Sequence, residues 1–206
     1  MKEINIIDFG LMGKQISALF YLLGYEIGVY NKSKLNIYEF EKQIKLLQRK
    51  IDFSNFNAGK INIYQHIEDL KNSLTIESLN EDLNLKKEIM QILRDNNIVF
   101  SNSSSLSMDD LNCDFIHFFN TIYIKLIELC GSNLERFTPL KDLKKLGFHI
   151  ICSKGNRGAL ANLLLFNEIS SFFKIIEKYD YNFKECQTVY DLLYEKRNLL
   201  NIIDTI

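Results

Sequence analysis

Proline and tryptophan are nearly missing from this chain: its 206 residues hold one proline and no tryptophan. A proline-rich linker or polyproline segment is thereby excluded. Cysteine is sparse. Cys113, Cys130, Cys152 and Cys186 lie far apart with no C-x-x-C pair. That spacing excludes a zinc ribbon and a disulfide scaffold, leaves reduced thiols, and offers no metal-binding pattern. An excess of one charge is also lacking, with 25 basic residues against 26 acidic ones and a net charge of -1. A broad nucleic-acid or anionic-membrane surface needs a basic excess, so neither partner is expected. No apolar run approaches the roughly 18 residues of a membrane span. Met1-Lys2-Glu3 leads into a short apolar stretch with no signal-peptide core. The expectation is a soluble, cytoplasmic protein.

What is present is globular in character: 47% hydrophobic and 25% charged residues. At roughly 150 residues per domain, the length allows one domain and a smaller second piece. The chain has 20 lysines to 5 arginines, 27 isoleucines and 21 asparagines. This skew fits an AT-rich genome better than any chemistry, so the abundance of Asn and Lys carries no functional argument.

Ile4 to Ile7 reads as a buried strand, followed by the turn Asp8-Phe9-Gly10-Leu11-Met12-Gly13. Met12, Ile16, Leu19, Phe20 and Leu23 then recur at helical spacing up to Gly24, which predicts a left-handed helix end. Tyr25 to Tyr30 is a second strand. Strand, glycine turn, helix and strand within about 30 residues make a βαβ unit. Further along, Lys34–Ile51, Asp82–Arg94 and Leu134–Leu146 read as helices. Ile61–Tyr64, Leu74–Glu77, Ile98–Ser101, Phe115–Phe119, Lys125–Leu129 and Phe148–Cys152 read as strands. From Arg157 onward the pattern is helical only, with Leu163–Tyr179, Phe183–Tyr194 and Lys196–Ile206 as segments. The expected fold is α/β: a Rossmann-like, doubly wound, mostly parallel sheet over residues 1–153, then a short all-helical region over 154–206.

A dinucleotide fold places G-x-G-x-x-G after its first strand, for the tight turn, the close approach of pyrophosphate and the packing of the helix. Gly10 and Gly13 supply the second and third glycines, and Asp8 stands at the first. A carboxylate there has two readings. It would repel a pyrophosphate, by about 1 kcal/mol at 4 Å in water and about 4 at an intermediate dielectric. Alternatively it points away and caps the helix. At the end of the second strand, NAD enzymes place an acid for the ribose. Here Asn31 is followed by Lys32, Ser33 and Lys34, which tolerates a 2′-phosphate and favours NADP over NAD.

Four ordered motifs then resemble the 3-hydroxyacyl-CoA dehydrogenase (3-hydroxybutyryl-CoA dehydrogenase) family, from Ile4 to about Phe166. Glu77 to Lys86 resembles its E-x-x-x-E-x-L-x-x-K. Ser101-Asn102-Ser103-Ser104-Ser105-Leu106 resembles S-N-T-S-S-L. His117-Phe118-Phe119-Asn120, followed by Lys125-Leu126-Ile127-Glu128, resembles H-F-F-N-P and K-L-V-E. Gly158-Ala159-Leu160-Ala161-Asn162 resembles G-F-I-V-N. The resemblance implies hydride transfer between NAD or NADP and a 3-hydroxyacyl thioester or related hydroxy acid. In that scheme His117 is the general acid/base and Glu128 orients and polarises it. Ser104 and Asn162 hold the substrate oxygen. Gly10, Leu11, Met12 and Gly13 hold the pyrophosphate, with Asn31 at the ribose. Glu81, Lys86 and Asn120 lie along the nicotinamide half. The substrate would be an acyl-CoA or an acyl group on a carrier.

The residues support this chemistry independently. Reducing a ketone needs a proton donor of near-neutral pKa, usually histidine, and a carboxylate partner fixes its tautomer. His66 and His149 have no partner pattern and read as structural.

The chain departs from the family at several points. Asp8 replaces a glycine and Asn31 replaces an acid. Thr121 and Arg157 replace prolines, and the stretch from His117 to Glu128 is one residue short. Set against the resemblance, the expectation is a truncated helical C-terminal region. Its apolar end, Leu199, Leu200, Ile202, Ile203 and Ile206, predicts a homodimer through the C-terminal helices. The competing reading is a non-catalytic Rossmann module that binds a nucleotide or a protein partner.

Overall fold

In the computed structural model, residues 2–32, 35–93, 98–153 and 159–193 are described. Ser33, Lys34, Arg94, Arg157, Gly158 and the expected helix Lys196–Ile206 with its apolar residues lie outside them. The chain divides into two compact units, between Ala159 and Leu160.

The first unit is built on a single sheet of eight strands: β1 (Glu3–Ile7), β2 (Glu26–Tyr30), β3 (Lys60–Tyr64), β4 (Leu74–Glu77), β5 (Ile98–Ser101), β6 (Asp114–Phe118), β7 (Leu126–Cys130) and β8 (His149–Ser153). Their order is β3-β2-β1-β4-β5-β6-β7-β8. Neighbours are parallel except β6 and β7, which run antiparallel. The chain winds outward from β1 to β3, then crosses back to β4 on the other side of β1. That reversal creates a crevice outside the carboxyl ends of β1 and β4, the usual ligand position in such sheets.

β1 lies inside the sheet and is covered on both faces. Ile4, Ile6 and Ile7 are all fully buried, which explains a run of branched residues without alternation. The helix α1 (Leu11–Leu22) packs Ile16, Leu19 and Phe20 into the same core as Phe100, Phe118 and Ile127. Gly24 takes φ +85 after this helix, the left-handed end that its position predicts.

The remaining helices of this unit are α2 (Ile37–Lys50), α3 (Leu83–Leu93), α4 (Met108–Leu111) and α5 (Leu140–Lys145). α2 starts later than the apolar spacing suggests, because Asn36 stays extended and its side chain accepts from the Glu39 amide. The continuous helix expected over Leu134–Leu146 is corrected. A 3₁₀ turn at Leu134–Arg136 is followed by a break, and α5 begins only after Pro139, the sole proline. The polar run before Asp109 is a capping box: Ser107 accepts from the Asp110 amide and Asp110 accepts back from Ser107.

The second unit holds α6 (Leu160–Tyr179) and α7 (Phe183–Leu193). Asp180 turns the chain at φ 51, and Asn182 accepts from the Lys184 amide at the start of α7. Phe172 contacts Phe183 and Tyr190 edge-on, and the Tyr190 hydroxyl donates to Glu168. The two helices therefore share an aromatic seam, and the sequence places them close to where they form.

Candidate active site

The glycine turn follows β1 directly. Asp8 takes φ 75, a left-handed conformation that suits glycine and that aspartate tolerates better than most residues. It thus fills the first-glycine position by backbone geometry. Gly13 is required by packing, because a Cβ there would run into the Asp8 carbonyl oxygen. Gly10 is the N-cap of α1, which has no side-chain cap and no acidic residue in its first turn. Two amides of the turn are already used. The Phe9 amide donates to Asn31 Oδ1 at 3.0 Å, and the Gly10 amide donates to Asp8 Oδ2 at 3.0 Å. Asn31 therefore directs its oxygen to the turn, from the strand end where an acid would meet a ribose.

Across the crevice, β4 ends in Glu77. Its carboxylate is fully buried and accepts from Lys86 Nζ at 2.7 Å, the Ser101 hydroxyl and the Leu79 amide. Lys86 is equally buried and also donates to the Leu79 carbonyl at 2.9 Å. Together they pin the loop after β4 to the ends of β4 and β5. A buried charge is tolerable only when paired and hydrogen-bonded this fully. Lys86 thus holds the loop from within, and neither Glu77 nor Ser101 was marked by the sequence as a site residue. Glu77 appeared there only as a letter of a motif.

The same loop carries Glu81. Its carboxylate accepts from the Ser104 amide (2.6 Å), the Ser104 hydroxyl (3.1 Å) and the Ser103 hydroxyl (2.7 Å). Loss of solvent raises its pKa, but the Ser104 and Ser103 hydrogen bonds and the Lys86 charge outweigh it, leaving the carboxyl below its ordinary value. Asn102 closes the arrangement: its Oδ1 accepts from the Phe118 amide at 2.8 Å, tying the serine loop to β6.

His117 is the penultimate residue of β6 and lies directly opposite Glu128 of β7 in the antiparallel register. Opposed residues share one face of the sheet, so imidazole and carboxylate project together. The ring of Phe119 meets that of His117 edge-on at 4.3 Å. Burial lowers the His117 pKa from its ordinary value, against a hydrogen bond to the Ser103 backbone and the charges of Glu128 and Glu81, which raise it. Glu128 is also within 3.6 Å of Cys130 Sγ, which in turn contacts Ser153 Oγ.

Two buried polar atoms here make no hydrogen bond: His117 Nδ1 and Asn120 Oδ1. Unsatisfied buried groups are rare in native proteins, and a polar ligand beside β6 could satisfy these two. Next to them, Thr121 donates its amide and hydroxyl to Gln15 Oε1 on α1, at 3.2 and 3.3 Å. The proline that the family pattern has at this position could not donate that amide. Asn162 lies in the first turn of α6, in the second unit. Among the described residues, no group of three or more His, Cys, Asp or Glu is placed to hold a metal ion, and no helix is long and apolar enough to cross a membrane. A cavity lined by Cys113, Asp114 and Arg136, among others, lies toward the opposite end of β6. Burial pushes the Cys113 thiol there up to about 12, which disfavours the thiolate.

Residues 3–136 match the family model described as 3-hydroxyacyl-CoA dehydrogenase, NAD binding domain. The chain belongs to this family. The match runs from β1 through the serine loop and His117 to Glu128 and just beyond. A 3-hydroxybutyryl-CoA dehydrogenase of Clostridioides difficile is 27% identical over 157 residues, which are 64% of this chain and 55% of that protein. The chain thus matches about half the length of this curated relative. Among solved structures, (S)-3-hydroxybutyryl-CoA dehydrogenase PaaH1 from Ralstonia eutropha superposes with a TM-score of 0.77 at 20% identity, covering 96% of this chain and 79% of that one. M. tuberculosis FadB2 gives 0.75 at 19%, covering 93% and 77%. At these identities the structures establish the fold.

The residues present fit a nicotinamide dinucleotide at the β4–β6 side, where the two orphaned atoms lie. The glycine turn fits it in backbone geometry, while the Asp8 carboxylate does not.

Proposed function

We propose that this chain is an NAD(P)-dependent oxidoreductase of the 3-hydroxyacyl-CoA dehydrogenase type. It would act on a 3-hydroxyacyl thioester, carried by CoA or a carrier protein, or on a related hydroxy acid. The observation that carries this reading is the buried pair His117 and Glu128, opposed across β6 and β7 with His117 Nδ1 left without a partner. A scaffold has no physical need for such a pair, which weighs against a non-catalytic module.

The cofactor, when bound, accepts or delivers the hydride. Gly10, Leu11, Met12 and Gly13 would hold its pyrophosphate, and Asn31 would lie near the ribose. Asn120 would serve the nicotinamide half. Glu81 contributes by holding Ser103 and Ser104 in place, and Lys86 by fixing the loop that carries Glu81. His117 takes the proton from the substrate hydroxyl during oxidation and returns it during reduction. Burial keeps the imidazole neutral and ready to accept. Glu128 stabilises the imidazolium that follows. Ser104 would bind the substrate oxygen. Absence of an acid at Asn31, together with Lys32, supports NADP as well as NAD.

The domain division proposed from sequence, 1–153 and 154–206, assigns the dinucleotide site to the first part. Leu163, Leu164 and Ile175 of α6 are exposed, which supports a homodimer through the C-terminal helices. Sedimentation should give a dimer at micromolar concentration, and a monomer would reject it. The test of the activity is turnover of 3-hydroxybutyryl-CoA and acetoacetyl-CoA with each cofactor. His117→Ala should lower kcat by about 10²–10⁴-fold while leaving the Kd for NADH nearly unchanged. Unchanged turnover in that variant would reject the role of His117.

A further inference from the structure

We infer that Asp8 is an internal anion seated on the dinucleotide loop, and that it weakens pyrophosphate binding through its charge. The inference rests on the reading of the turn as a dinucleotide site. A pyrophosphate at the start of such a helix is held by backbone amides of the turn and by the helix dipole. In this chain the Gly10 amide already donates to Asp8 Oδ2 at 3.0 Å. The neighbouring Phe9 amide is taken by Asn31 Oδ1.

The carboxylate is held over Gly10, where a Cβ would come within 2.9 Å of Oδ2. It therefore occupies the space that the second glycine leaves open for close approach of a phosphate. The left-handed backbone at Asp8 and the hydrogen bond to Gly10 support each other, so the carboxylate is placed by the turn itself. A dinucleotide entering this loop has to break the Asp8–Gly10 contact and bring phosphate charge beside a carboxylate.

The experiment measures the NADH Kd of wild type, Asp8→Gly and Asp8→Asn by fluorescence at low and high salt. Glycine suits the left-handed backbone, and asparagine keeps an oxygen acceptor for the Gly10 amide without the charge. Thermal melting checks that both variants fold. Both variants should bind NADH roughly tenfold or more tightly than wild type at low salt, the scale of one like-charge contact. The gap should shrink at high salt, because the Debye length falls from about 10 Å at 0.1 M to about 3 Å at 1 M. Equal Kd values in all three proteins would overturn the inference and leave the dinucleotide reading standing. Tightening in Asp8→Gly alone would assign the effect to bulk and also overturn it. Absence of NADH binding in all three would overturn both.

Discussion

The two sides of the crevice treat their own polar groups in opposite ways. At the β1–α1 turn, the amides of Phe9 and Gly10 are satisfied by Asn31 and Asp8 of the same chain. At the ends of β4, β5 and β6, a set of buried hydrogen bonds stands beside three buried atoms left without partners, on Ser78, His117 and Asn120. The turn is thus the more closed side and the strand ends are the more open one. Under the proposed function the difference has a physical reason: proton transfer needs particular side chains, whereas a pyrophosphate is held by backbone amides.

The largest effect on this comparison should come from the support of the open side. Lys86→Met leaves the Glu77 carboxylate buried without its cation, which costs about 3–5 kcal/mol. Urea unfolding measures it. The double variant Lys86→Met with Glu77→Gln should recover most of that loss, because the lone charge is then gone. No recovery would mean that the lysine acts through packing alone, and the electrostatic account of the open side would fail.

A smaller effect separates the two glycines of the closed side. Gly13→Ala meets backbone, the carbonyl oxygen of Asp8, and should destabilise the fold by about 1–3 kcal/mol. Gly10→Ala meets only the end of the Asp8 side chain, at φ -64 that alanine accepts. It should cost about 0.5 kcal/mol. Equal costs would show that the turn yields as a whole and that Asp8 is not fixed in it.

Much of this was legible in the sequence, and the part that was not has a common cause. Period and composition marked β1 as buried, because Ile4, Ile6 and Ile7 all need covering. The order of motifs placed His117 and Glu128 on neighbouring strands, and the register puts them opposite each other. Asp8 was legible as a departure but not as a lock, since its role depends on φ and on a side-chain rotamer. Asn31 reads as a residue at the ribose, and its Oδ1 accepts from an amide 22 residues away, a contact that only the folded turn creates. Glu77 reads only as a motif letter and Lys86 as a residue along the nicotinamide half; their pairing was hidden because burial to zero exposure arises only when β4, β5 and α3 assemble. The broken helix at Pro139 was misread for the opposite reason: apolar spacing was followed past a residue that cannot sustain it.

The smallest effect tests whether the open side is as dry as its geometry indicates. Burial lowers the His117 pKa in the folded protein, against the Ser103 backbone, Glu128 and Glu81. The unfolded chain has the ordinary value of about 6.5. Between the two values the unfolded state binds more protons, so stability is full above the ordinary pKa and falls as pH drops toward the folded one. His117→Asn removes this titration while His66 and His149 remain. The advantage of wild type over His117→Asn in urea midpoint should therefore shrink from about pH 7.5 to about pH 5, the range that spans the histidine value. A constant advantage across that range would place the imidazole in water, and the two sides of the crevice would then differ in hydrogen bonding but not in exposure.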